Sequence, residues 1–431
     1  MTEKQRLVVI GNGMAGARAV EEILARGGGE QFTITMFGDE PYGNYNRIML
    51  SDVLNGSQQP DAIFLNPLAW YEENNITLHA GNLVTSIDRG AREVEAANGL
   101  RVPYDVLIIA TGSHPFVPPI ENLRTENGAL KEGVFVFRTL NDCQKIAAHA
   151  RRSQRAAVIG GGLLGLEAAR GLLNYGCEVH VIQLSSVLMN QQLDGSAGGL
   201  LRKEMETLGI HVHCNTSTAA MLGDTHITGL QFKDGSQLEC DMLVISTGIR
   251  PNADLALRCG LTVERGIVVD NTMRTVDDQH IYAVGECAQH RGMVYGLVAP
   301  IWEQVRVLAD HLTRRNLDAA YHGSKLSTKL KVMGVDVASI GRVEPEHEHD
   351  EVVSFSEPKR GIYKKLIIRE DRLMGAILMG DTSKAAYLMQ AFDRNTPLPD
   401  ERAALLFNIG APVAQSVTDS RTRRRSATAT A

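Results

Sequence analysis

No two of the six cysteines (Cys143, Cys177, Cys214, Cys240, Cys259, Cys287) form a C-x-x-C pair, and none joins a cysteine/histidine cluster at metal-ligand spacing. A redox disulfide, an iron–sulfur cluster and a metal site are therefore not written locally, and no metal is expected. The thiols read as isolated small apolar residues in reduced cores. Positive charge is not in excess either. The 44 Lys and Arg against 50 Asp and Glu give a net charge of −6, which argues against nucleic acid as a partner. No uncharged apolar run reaches the ~18 residues of a membrane span, and the first apolar run starts at Leu7, too early for a leader segment. The expectation is a cytoplasmic protein without membrane contact. With 431 residues, 44% of them hydrophobic, the chain can fill two or three domain cores.

What is present is one pattern written twice. Gly11-Asn-Gly13-Met14-Ala15-Gly16 follows the apolar run Leu7 to Ile10, and Gly160-Gly-Gly162-Leu163-Leu164-Gly165 follows Ala156 to Ile159. In each, a β-rich strand enters three glycines at one spacing and then an Ala/Leu-rich helix, the arrangement that a dinucleotide pyrophosphate needs at a helix N-terminus. A single such loop is equally a packing turn. Two of them, about 150 residues apart as in a two-domain chain, point to paired flavin and nicotinamide sites.

Other segments extend both units. The second strand, Phe32 to Phe37, closes at Asp39-Glu40, where a carboxylate accepts ribose hydroxyls unless the pair is only a solvated turn before Pro41. The run Tyr104 to Ala110 ends in Thr111-Gly112, and Met242 to Ser246 ends in Thr247-Gly248, an echo that supports duplication. After Glu178 to Ile182 comes Gln183, neither the acid that favours NAD nor an arginine that favours NADP, so the nucleotide preference stays open. Ile281 to Val284 leads into Gly285-Glu286, read either as a polyol contact or as a plain helix cap. Short strands at Leu330–Val335, Val337–Val343, Gly361–Arg369 and Leu373–Met379 suggest a small α+β cap, and the last residues read as a polar tail.

The predicted fold class is thus α/β: two Rossmann-like domains and a small C-terminal α+β domain. Residues 1–120 and 246–324 would form the FAD-binding part, 121–245 the NAD(P)-binding part, 325–408 the cap and 409–431 a flexible tail.

On these residues the chain resembles the flavoproteins with two dinucleotide-binding domains, the family of rubredoxin, ferredoxin and putidaredoxin reductases, over roughly residues 5 to 408. The stretches Ile245–Pro251, Ile281–Ala288, Tyr295–Pro300, Leu330–Val337 and Gly380–Ser383, with the two glycine loops, are more narrowly similar to the N-terminal flavoprotein portion of assimilatory NAD(P)H nitrite reductase large subunits. The resemblance implies FAD contacts from Gly11, Gly13, Gly16, Asp39, Glu40, Arg47, Val84, Thr111, Arg138 and Glu286, with neighbours Met14, Ala15, Ala110, Gly112, Gly285 and Val298; Arg47 would lie along the pyrophosphate. It implies nicotinamide-nucleotide contacts from Gly162, Leu164, Glu167 and Gly248, flanked by Gly160, Leu163, Gly165, Gln183 and Thr247. Glu167 and Arg47 are the residues expected closest to the chemistry. Glu167 is otherwise a solvated helical carboxylate or a first-turn acid favoured by the helix dipole.

Two departures stand out. Many relatives carry a lysine after the Arg-x-x-Leu-Ser segment, whereas Ser51 here is followed by Asp52; and the cysteine-rich modules of the full nitrite reductase subunit have no counterpart, so nitrite reduction by this chain alone is not expected. The expected activity is hydride transfer from NADH or NADPH to FAD, with electrons passed to a separate redox protein: a nitrate or nitrite reductase subunit, a rubredoxin or a ferredoxin. The absence of a cysteine pair near either loop disfavours disulfide chemistry of the thioredoxin- or glutathione-reductase type, and Tyr45 to Ser51 also lacks the single cysteine that NADH oxidases and coenzyme A-disulfide reductases carry in the matching place. A nucleotide-binding redox sensor is the competing reading, and association as a homodimer stays open.

Overall fold

The computed structural model describes residues 3–332 and 334–407. The predicted tail, with its arginines at 421 and 423–425, lies outside them.

Two five-stranded sheets, each wholly parallel, repeat one plan. The first has the order Ile281–Ala283, Val106–Ile109, Gln5–Ile10, Phe32–Phe37, Ile76–His79. The second has the order Val134–Val136, Met242–Ile245, Arg155–Ile159, Glu178–Ile182, Ile210–His213. Every residue of Val106–Ile109 and Met242–Ile245 is buried, as continuous apolar runs require when layers cover both faces of a parallel sheet. In each sheet the middle strand feeds a glycine loop and a helix, Met14–Ala25 in the first and Leu163–Leu173 in the second. The fold is therefore α/β with two Rossmann-like units, as the repeated pattern predicts.

The second unit is inserted into the first. The first sheet takes four strands from residues 5–109 and its fifth from 281–283, after the entire second sheet has been traversed. The two crossings pair with each other as a short antiparallel ribbon, Ser113–Pro115 against Ile249–Pro251. Thr111 Oγ1 donates to the Asn252 carbonyl (2.7 Å), and Asn252 Nδ2 donates back to the Thr111 carbonyl (3.0 Å). Helix Leu50–Leu54 of the first unit buries Leu50 and Leu54 in the apolar core of the second, beside Leu166 and Leu172. The fit is close: a Cβ on Gly171 would stand 2.9 Å from Leu54 Cγ.

A C-terminal antiparallel sheet follows, in the order Ser327–Val332, Val335–Gly341, Arg372–Met379, Ile362–Arg369, Glu351–Glu357, with helix Ala385–Arg394 packed on it. The turn falls at Gly334 (φ +94°), inside the run read from sequence as one strand to Val335. The sheet is tied to the second unit where Tyr363 Oη (2.6 Å) and Lys365 Nζ (3.0 Å) donate to Asp194, the N-cap of helix Gly195–Thr207. Among the described residues no helix is long and apolar enough to cross a membrane.

Candidate dinucleotide-binding sites

The two glycine loops divide their labour in the same way. Gly11 (φ +113°) and Gly160 (φ +118°) sit where a Cβ would come within 2.1 Å of the carbonyl oxygen of Ala110 or Ser246. Gly16 and Gly165, in the helices, would place a Cβ 1.9 Å from the carbonyl oxygens of Gly11 and Gly160. Those four glycines are required by the chain itself. Gly13 and Gly162 are different: each is the N-cap of its helix, without a side-chain cap, and a Cβ on either would meet nothing within 4 Å. Three roles, a tight turn, a bare backbone face and close helix packing, are what a loop that cradles a pyrophosphate needs.

The other predicted residues of the first unit gather at the carboxyl edge of its sheet. Met14 and Ala15 open the loop helix, Asp39 and Glu40 follow Phe32–Phe37, Ala110, Thr111 and Gly112 follow Val106–Ile109, and Gly285 and Glu286 follow Ile281–Ala283. Glu40 lies in a cleft with Gly13, Asp39 and Arg47. Its carboxylate accepts from Tyr45 Oη (2.7 Å) and from Arg47 Nη2 (2.5 Å). Burial pushes its pKa up, against the opposing charge of Arg47. Arg47 also donates to the Arg138 carbonyl (3.4 Å). Arg138 itself pairs with Glu286, and both side chains are only 15% exposed. Ser113 completes this group, donating to Glu286 (2.6 Å) and accepting from Arg138 Nη2 (2.9 Å). The side chain of Val84 is buried in the core of the first unit. Val298 begins helix Val298–Leu312, whose Gln304 accepts from the Gly285 amide (3.0 Å).

In the second unit Leu163 and Leu164 start the loop helix, and Thr247 and Gly248 follow Met242–Ile245. Thr247 donates to the Phe116 carbonyl (2.6 Å), holding the crossing ribbon. Gln183 is fully engaged: its Oε1 accepts from the Gly161 amide (2.9 Å) and its Nε2 donates to the Val187 carbonyl (3.1 Å). It buttresses the glycine loop, and the neighbouring Leu184 is 74% exposed. Glu167, one turn into its helix, bonds Ser51 across the junction between units. Burial, reinforced by the charge of Asp52 and opposed by Ser51, pushes its carboxyl up to about 7.

Ser113, Tyr45 and Asn252 bond predicted site residues, although the sequence reading did not single out their roles. Ser113 sits two residues beyond Thr111, and that adjacency is its one sequence signal. Cys287, next to Glu286, is fully buried, its thiol donates to the Val284 carbonyl (3.3 Å), and burial raises its pKa, so it is no nucleophile.

Comparison with known proteins matches residues 5–307 to the pyridine nucleotide-disulphide oxidoreductase family. The chain belongs to that family. Residues 327–396 match the rubredoxin NAD+ reductase C-terminal domain. The chain is 46% identical over 397 residues to nitrite reductase [NAD(P)H] of Bacillus subtilis (strain 168), covering 92% of this chain and 48% of that one. It is 44% identical to the assimilatory nitrate reductase electron transfer subunit of the same organism, covering 90% of this chain and 49% of the relative. The chain thus spans about half the length of these curated relatives. Among solved structures, NADH:rubredoxin oxidoreductase from Clostridium acetobutylicum superimposes with a TM-score of 0.74 at 25% identity, covering 91% of this chain and 96% of that one. Membership of this oxidoreductase family agrees with the paired loops, whereas the cysteines supply no disulfide partner: all six are free.

Proposed function

We propose that the chain is an FAD-dependent NAD(P)H oxidoreductase that hands electrons to a separate redox protein, and that this recipient is part of a nitrate- or nitrite-reducing system of nitrogen assimilation. The observation that carries the reading is the repeated glycine geometry: in each loop the outer glycines are closed off by chain atoms and the middle one faces open space. A pyrophosphate fits such an opening, with helix N-terminal amides as donors.

The first unit would hold FAD, with Gly11, Gly13, Met14, Ala15 and Gly16 at the pyrophosphate, Arg47 beside it, and Asp39 and Glu40 at the ribose. Ala110, Thr111, Gly112, Arg138, Gly285, Glu286 and Val298 would line the rest of the cofactor. The second unit would admit NADH or NADPH through Gly160, Gly162, Leu163, Leu164, Gly165, Gln183, Thr247 and Gly248. The bound flavin supplies the conversion of a two-electron hydride into single electrons. The chain's own part is positional: Arg47 balances phosphate charge, the Arg138–Glu286–Ser113 group fixes hydrogen-bonding atoms in one place, and Glu167 with Ser51 joins the two units where the rings would meet. The names of the Bacillus relatives support the nitrogen-assimilation role. Six free cysteines suit the reducing cytoplasm, where NAD(P)H is supplied.

The match of residues 327–396 favours a second reading, a reductase of rubredoxin or ferredoxin in another pathway. The purified protein should be yellow and, without oxygen, be reduced by NADH or NADPH faster than about 1 per second. Rapid reoxidation by a nitrate or nitrite reductase subunit, rather than by rubredoxin or ferredoxin, selects the first reading. Slow reduction points instead to a redox sensor. A colourless protein that refuses added flavin overturns all three.

A further inference from the structure

Glu178, His180, His211 and His213 lie on one face of two adjacent strands of the second sheet, because Glu178 and His180 are two residues apart in one strand, His211 and His213 two apart in the next, and His180 pairs in register with His211. The same face carries Ile182, which packs with Phe232 in the core below. His180 is 7% exposed, Glu178 and His211 are exposed, and none of the group is among the residues predicted for the nucleotide sites. His180 Nε2 stands 2.9 Å from Glu178 Oε1, and His211 Nε2 3.8 Å from the same oxygen. Donor atoms of Glu178, His180 and His211 all fall within 4.8 Å of one another. Ligands held ~2.1 Å from a tetrahedral Zn2+ are about 3.4 Å apart, so rotation of the two exposed side chains suffices to close the set.

The surroundings fit ligand duty. Arg155 takes the other Glu178 oxygen, Oε2, from Nε at 2.9 Å, which orients the carboxylate and leaves Oε1 facing the imidazoles. His213 Nε2 lies 3.0 Å from His180 Nδ1, so a proton displaced from Nε2 has a bonded position on the far side of the ring. We propose that Glu178, His180 and His211 form a binding site for a divalent transition metal, Zn2+ among them, that staples the edge strand Ile210–His213 to its neighbour, with His213 as the partner that orients His180. The three ligands come from two strands about 30 residues apart, which explains why spacing along the chain gives no metal motif.

The test is calorimetric titration of ZnCl2 into the untagged, flavin-loaded chain, paired with thermal unfolding with and without the metal. One equivalent should bind, raising the melting temperature. H211A and E178Q should each weaken binding at least tenfold and abolish the thermal gain, and H213A should weaken it by about tenfold as an outer partner does. The double variant H347A/H349A removes two exposed histidines of a distant loop and should bind as the parent does. Failure of the parent to bind saturably, or binding that follows His347 and His349 instead of His211, overturns the proposal. Both readouts are independent of electron transfer, so the site stands or falls apart from the proposed oxidoreductase role.

Discussion

Replacing Gly162 by alanine separates what the chain needs from what a ligand needs. Gly162 has φ −84° and ψ 177°, extended backbone that alanine adopts freely, and its Cβ would meet no atom within 4 Å. Alanine is a poorer N-cap than glycine by about 0.5–1 kcal/mol, and the stiffer unfolded chain offsets about 0.4–1 kcal/mol, so stability should change by no more than about 0.5 kcal/mol. Gly165→Ala is the contrast. Its Cβ would lie 1.9 Å from the Gly160 carbonyl oxygen, where contacts under 3.0 Å essentially never occur, so the helix must move by about 1 Å from the sheet. Overpacking of that kind costs about 1–3 kcal/mol or more. In Gly162→Ala the new methyl occupies the open face that the proposed function gives to a pyrophosphate, and a lost 1.4 kcal/mol is a tenfold weaker affinity. Thermal unfolding followed by flavin fluorescence, with anaerobic stopped-flow reduction across a range of NADH concentrations, measures both quantities. The expected result is a Gly162→Ala protein with parental stability and flavin content and a reductant requirement raised at least about tenfold, beside a destabilised Gly165→Ala protein. Parental NADH affinity in Gly162→Ala, or equal destabilisation of the two, would refute the assignment of roles.

Three further outcomes are expected. Because the Glu167 carboxyl is raised to about 7, the folded state binds more protons than the unfolded one between about pH 4.5 and 7, so this group makes stability fall as pH rises through that window. Glu167→Gln should remove that dependence from pH-resolved unfolding, and Asp52→Lys should move it to lower pH; profiles unchanged by either variant would dismiss the coupling. Arg138→Ala leaves the half-buried Glu286 with Ser113 alone, for which a loss of about 1–3 kcal/mol in chemical denaturation is expected, whereas a double Arg138→Ala, Glu286→Gln variant should recover part of it. Leu184→Arg puts a cation at a solvated position next to Gln183, which the proposed function sets at the second nucleotide, and the NADPH-to-NADH ratio of reduction efficiencies should rise at least about tenfold; an unchanged ratio places the 2′-position elsewhere.

The repeated loops were legible because each uses residues a few positions apart, and the strands around them because buried parallel strands are continuous apolar runs, as in Val106–Ile109. Strand Glu351–Glu357 escaped the reading: it is an edge strand whose residues are all exposed or half-buried, and Glu-Val-Val-Ser-Phe-Ser-Glu offers no apolar run. The strand predicted to reach Val335 was cut by the turn at Gly334, since a run of apolar residues does not reveal where a hairpin folds back. Contacts between distant segments left no trace. Ser113 and Glu286 are 173 positions apart, and Tyr363 and Asp194 are 169 apart, so nothing local links them. Gln183 was noticed for lacking a charge, yet its bond to the Gly161 amide, which explains an amide at that position, emerges only in three dimensions.

The insertion of one unit within the other bears on how the polypeptide acquires its shape as it is made. Val106–Ile109 keeps one flank bare until Ile281–Ala283 arrives to cover it, whereas all five strands of the inner sheet are present once residue 245 has emerged. The inner unit can therefore finish while the outer one still displays an apolar, unpaired edge, the type of surface that recruits a neighbouring chain. Synthesis halted between 245 and 281 should yield a sound centre with a sticky rim, and chaperone dependence should concentrate in that interval.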